Sequence, residues 1–113
     1  MTPLNSSPLT THVLDLARGR PAVGVPLTLI APDGAVTSGV TDADGRCRTL
    51  TSREAFVAGT WSLTFDLATY FRDHDIDSFY PSATVVFAVR NPDEHHHVPL
   101  LLSPFGYSTY RGT

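Results

Sequence analysis

Short runs in which apolar and polar residues alternate, each closed by a turn signal, dominate this chain and commit it to sheet. The cleanest is Thr60 to Phe65, where Trp61, Leu63 and Phe65 alternate with Thr60, Ser62 and Thr64. A period of two puts the three large residues on one face of a strand. Thr10 to Leu16, Val25 to Ile30, Val36 to Thr41, Arg46 to Thr51, Ser82 to Arg90, His95 to Leu102 and Tyr107 to Tyr110 read the same way. The punctuation between them is Gly19-Arg20-Pro21, Asp33-Gly34, Asp42-Ala43-Asp44-Gly45, Asn91-Pro92-Asp93-Glu94 and Ser103-Pro104-Phe105-Gly106, residues that favour turns. One helix is expected over Asp66 to Arg72, with Asp66 as N-cap and Leu67, Tyr70 and Phe71 on one face. About eight strands and one short helix predict an all-β fold, an antiparallel β-sandwich.

A length of 113 residues is one domain's worth. Met1 to Pro8 is polar and Pro-containing and is expected to be a flexible leader (1–8), with the domain spanning 9–113. Net charge is -3, and the eight Lys and Arg residues are arginines scattered along the chain. No basic block exists to release counterions from a phosphate backbone, so nucleic acid is not an expected partner. No apolar run approaches the ~20 residues that span a membrane. Cys47 is the single cysteine and has no internal disulfide partner, which favours a reducing compartment. The N-terminus lacks a basic-then-apolar signal pattern, and Arg111-Gly112-Thr113 is no peroxisomal address. The cytoplasm is the expected location.

One strand carries more information than its fold. From His95 onward, one face presents His95, His97, Pro99, Leu101 and Ser103, and the other His96, Val98, Leu100 and Leu102. Both faces are apolar beyond the histidines, whereas a two-layer sandwich has one core side. The second face is expected to be buried against another subunit in a symmetric oligomer.

Three residues invite chemistry: His12 among Val13, Leu14 and Leu16; Arg46 after the Asp44-Gly45 turn; and His97 beside Pro99. A lone strand histidine is more often solvated or packed in a core than catalytic, and an arginine beside a turn is usually plain surface. The His95-His96-His97 run places two imidazoles on one face, but no thiol pair or HExxH spacing accompanies it, so no metal is expected. Cys47 is expected to be buried and inert. Gly45 sits in nothing like a phosphate-binding loop, and His74 lies among solvated acids.

The ordered motifs Leu9-Thr10-Thr11-His12-Val13-Leu14-Asp15, Thr41-Asp42-Ala43-Asp44-Gly45-Arg46 and His97-Val98-Pro99-Leu100-Leu101-Leu102-Ser103-Pro104-Phe105-Gly106-Tyr107-Ser108-Thr109-Tyr110-Arg111-Gly112 resemble those of the transthyretin-like 5-hydroxyisourate hydrolases. The likeness runs from about Leu9 to Thr113. Two departures are visible: Thr113 stands where the family usually ends in Ser, and His96 where Tyr is common.

The resemblance implies a transthyretin-like (prealbumin-like) sandwich forming a homotetramer, a dimer of dimers, with active sites in the channel between dimers. It implies hydrolysis of a small molecule, 5-hydroxyisourate, in urate catabolism, without a cofactor. His12, Arg46 and His97 take the catalytic roles, and Tyr110, Arg111, Gly112 and Thr113 contact substrate. A neutral imidazole would serve as base, and Arg46 would hold a histidine neutral while stabilising an oxyanion. The competing readings are a hormone carrier of the transthyretin kind and a structural spacer module.

Overall fold

The computed structural model describes residues 7–113; the expected leader therefore lies outside the described residues, apart from Ser7 and Pro8. Two sheets face one another. The first combines β1 (Leu9–Asp15), β2 (Arg20–Pro21), β5 (Arg46–Cys47), β8 (His96–Ser103) and β9 (Gly106–Thr109). Its order is β2-β1-β8-β9, with β5 also paired to β1. The second holds β3 (Pro26–Ile30), β4 (Val36–Val40), β6 (Gly59–Asp66) and β7 (Ser82–Val89) in the order β4-β3-β6-β7. Every pairing is antiparallel except β1 with β8, which runs parallel from Leu9↔His96 to Asp15↔Leu102. A parallel pair needs a long crossover, and here the whole second sheet supplies it.

The alternation read in the sequence is the alternation that is buried. Leu9 and Val13 of β1, with Leu100 and Leu102 of β8, pack inward against Leu27, Leu29, Trp61, Leu63 and Phe65. The helix α1 (Leu67–Asp73) starts as its cap predicts, with Asp66 Oδ1 accepting from the Thr69 N–H at 3.1 Å. Its buried face of Leu67, Tyr70 and Phe71 closes one end of the core. Among the described residues, no helix is long and apolar enough to cross a membrane.

Two expectations needed correction. Arg20-Pro21, read as the end of the first strand, pairs back on Leu14 and Asp15 as β2; the turn at Gly19, with φ 66°, brings it round. The strand expected over Arg46 to Thr51 pairs only at Arg46 and Cys47. Beyond Cys47 the chain lacks alternation and is anchored instead by single apolar residues, the buried Leu50 and Phe56, and by the Thr37 hydroxyl donating to the Leu50 carbonyl at 2.9 Å.

Candidate functional site

β1 has a divided second edge: β5 pairs with its first half and β2 with its second. The switch occurs at Val13, whose N–H donates to the Gly45 carbonyl at 2.7 Å and whose carbonyl accepts from the Ala22 N–H at 2.9 Å. Gly45 has φ 74°, and a Cβ there would lie 2.5 Å from the Val13 oxygen. Only glycine fits this close approach. The turn before it is tied by Asp42 Oδ1, which accepts from the Asp44 and Arg46 N–H groups at 2.9 and 3.0 Å. The Asp42 carboxyl accordingly lies below its ordinary value, chiefly through the Arg46 N–H. These constraints deliver Arg46 to β1 directly opposite His12.

On the other side of β1, Thr10 lies opposite His97 and His12 opposite Pro99. Because paired residues share a face, Thr10, His12, Arg46, His97 and Pro99 form one outward surface across β5, β1 and β8. Adjacent strands are about 4.8 Å apart and alternate residues on a strand about 6.6 Å. His12 therefore sits beside Arg46 and one diagonal step from His97. All three side chains are half-buried.

Burial pushes the His12 imidazole below its ordinary value, and Arg46 adds to the effect; hydrogen bonding to the Asp44 backbone opposes it. His97 is lowered first by burial, with Arg46, His95 and His12 acting in the same direction, while hydrogen bonding to the Thr10 backbone opposes them. Both imidazoles are thus held neutral near pH 7, where they can accept protons. Arg46, paired directly opposite His12, puts a positive charge on this face that can stabilise a developing anion.

The tail folds back onto His97. The Gly112 N–H donates to the His97 carbonyl at 2.9 Å, forming an isolated bridge. A Cβ on Gly112 would collide with Cδ2 of the His97 ring and come within 3.3 Å of Pro99. Gly112 therefore belongs to the His97 surface. Arg111 turns elsewhere, its guanidinium 3.3 Å from Glu94. With Tyr110 it lines a cleft of about 260 Å³ that also touches His97, Val98, Val85 and Phe87. A wider groove of about 860 Å³ reaches the site from the other side, through Arg46, with Arg48 and Arg53 along it. Thr113 is exposed.

Two residues with no role in the sequence reading stand at this site. Thr10 Oγ1 lies 2.8 Å from His97 Nδ1 and 2.9 Å from His95 Nε2. The position of Thr10 two residues before His12 was the available signal, since it fixes both on one face. For His95 the sequence suggests only a metal ligand, without the companion residues such a site needs. Its ring stacks on His97 with centroids 6.3 Å apart and planes inclined by 17°. His96 points the other way, buried against Phe56.

Comparison with known proteins gives a consistent picture. A family model described as the HIUase/Transthyretin family matches residues 9–112. The 5-hydroxyisourate hydrolase of Mus musculus is 43% identical over 114 residues, covering 96% of this chain and 97% of the mouse protein. That of Caulobacter vibrioides is 44% identical over 115 residues, covering 95% and 99%. Among solved structures, Klebsiella pneumoniae 5-hydroxyisourate hydrolase superposes with a TM-score of 0.82 at 36% identity, covering 93% of this chain and 92% of that one. Sea bream transthyretin in complex with thyroxine superposes at 0.83 with 35% identity, covering 94% and 95%.

Proposed function

The chain belongs to the HIUase/Transthyretin family, and from that membership we propose that it hydrolyses 5-hydroxyisourate on the outer face of its first sheet. The observation that carries this reading is the register that puts His12 opposite Arg46 on one edge of β1 and Thr10 opposite His97 on the other. Opening the substrate ring requires water to add to a ring amide carbonyl. His97 takes the proton from that water, with His12 as its partner. Arg46 stabilises the oxyanion. The proton passes to the departing ring nitrogen as the C–N bond breaks, leaving 2-oxo-4-hydroxy-4-carboxy-5-ureidoimidazoline. A positioned base contributes ~10²–10⁴ in rate, and one oxyanion donor about 2.7–4 kcal/mol.

Tyr110 would wall the site from the neighbouring cleft, and Arg111 and the Thr113 hydroxyl would orient substrate once a partner subunit encloses it. The assembly we assign is a homotetramer, a dimer of dimers. Supporting it are the free edges at β7 and β9 and the exposed Leu16, Phe79 and Phe105, the kind of surface that oligomers cover. We place the protein in the cytoplasm, where the free thiol of Cys47 suits a reducing environment.

The likeness to thyroxine-bound sea bream transthyretin favours a carrier as the second reading. A face built on two imidazoles and a guanidinium suits a polar oxidised purine better than an aromatic hormone. One measurement separates the two. Freshly generated 5-hydroxyisourate should lose its ultraviolet absorbance faster with the protein than without it. Decay no faster than the blank would leave the carrier reading in front.

A further inference from the structure

Thr10 Oγ1 is shared between two imidazoles, at 2.8 Å from His97 Nδ1 and 2.9 Å from His95 Nε2. A hydroxyl has one proton to give and lone pairs to receive. With both rings neutral, the hydroxyl can give its proton to one ring only, so at least one imidazole donates to it. The arrangement that uses the hydroxyl's proton within the group is a chain with a single direction, one imidazole donating and the other accepting. The direction decides which nitrogen of His97 faces the substrate with a lone pair.

We infer that Thr10 and His95 are positioning residues that hold His97 as its Nδ1–H tautomer, leaving the Nε2 lone pair to take the proton from water. The inference rests on the reading of His97 as the base. Two observations favour this direction beside the shared hydroxyl. First, Thr10 opposes the burial that lowers His97, the effect of an acceptor that favours a ring proton. Second, His95 is exposed, so its Nδ1–H is free to donate to water while its Nε2 accepts from Thr10. The carbon edge of the His97 ring rests under Gly112, which leaves the Nδ1 edge for Thr10. Among the described residues no hydrogen bond engages His97 Nε2.

The arrangement has a consequence at low pH. A protonated His95 donates from both nitrogens, so Thr10 accepts from it and its own proton is released to turn toward His97 Nδ1. That opens the Nε2–H tautomer of His97, in which the nitrogen facing water carries the proton, so protonation of His95 lowers the share of His97 able to act as base. Protonation of His97 itself removes the base outright. The charged and titratable groups facing the pair are Arg46 and His12 around His97, and His96 and Arg53 around His95.

Imidazole nitrogen NMR of the ¹⁵N-labelled protein near neutral pH reads the tautomer without reference to activity. The wild type should show His97 as Nδ1–H. Thr10→Val, which keeps the shape and removes the hydroxyl, and His95→Phe should each release His97 to a mixture. In the assay, Thr10→Val should lower kcat ~10–100-fold. KM should stay within about twofold, because the lost interaction belongs to the transition state. Thr10→Ser should recover most of the loss. His95→Phe should leave an acid limb with one ionisation fewer. A wild-type His97 protonated on Nε2, or a Thr10→Val variant with wild-type kcat, overturns the inference. Should Thr10→Val fail to fold, His95→Phe at an exposed position carries the test alone. A wild type that does not hasten 5-hydroxyisourate decay would instead sink the hydrolase reading, with the tautomer still measured.

Discussion

The two sheets each turn one face away from the core, and the two outer faces are built to different ends. That of the second sheet carries Thr28, Ser38, Ser62, Thr64 and Thr84 in facing rows. Its polar contacts are of the kind between the Thr64 and Thr84 hydroxyls, 2.8 Å apart. That of the first sheet carries His12, Arg46 and His97 in register-locked positions, with the Gly112 backbone laid over one of them. Hydroxyls and β-branched residues suit any solvated sheet. Ionisable groups on adjacent strands repel or lose hydration, and the depressed His12 and His97 show that strain. A sheet needs the first kind of face to fold and tolerates the second where chemistry uses it.

Substitutions should keep the two faces apart. The largest effect is expected for His97→Ala, which removes the proposed base and should lower kcat ~10²–10⁴-fold while circular dichroism stays unchanged. An unaltered kcat would take His97 out of the mechanism. Arg46→Ala should cost ~10²–10³ in kcat/KM, and an added guanidinium salt should restore part of it if the charge acts on the oxyanion. Gly112→Ala tests the tail. Its methyl group must displace the His97 ring or the backbone above it, and a misplacement of that order should lower kcat about tenfold or more with little change in melting temperature.

Acid should separate the faces by stability as well as rate. His12, His95 and His97 all lie below their ordinary value in the folded protein. The unfolded chain therefore binds protons first as pH falls through about 6.5, and stability declines below that point. Melting temperature should fall from pH 7 toward pH 5, and the His12→Ala variant should lose less of it than the wild type. Smallest of all, Thr84→Ala on the second sheet should change stability by no more than ~0.5 kcal/mol in a urea titration and leave kcat untouched. A kinetic effect there would break the contrast between the faces.

The difference between the faces was only partly legible in the sequence. Alternation located β6 and β7, and the Asp66 cap placed α1 to within a residue, because those signals are local. The motif likeness supplied His12, Arg46 and His97 as a set. Their meeting on one surface depends on a parallel pairing between strands at opposite ends of the chain, which periodicity does not encode. β2 was missed because two residues held by a turn carry no pattern. Thr10 escaped notice because a threonine in a strand is ordinary, and its value comes only from the two imidazoles it meets in space.

The parallel ladder also sets when the protein can begin to work. Thr10 and His97, whose side chains touch, are 87 positions apart. Through synthesis, the first strand has β2 and β5 to pair with but waits for its parallel partner, and Thr10 has no imidazole beside it until β8 is made. The proposed reactive surface is therefore complete only once the C-terminal strand has docked on the first, and regain of turnover after dilution from denaturant should follow formation of that pair.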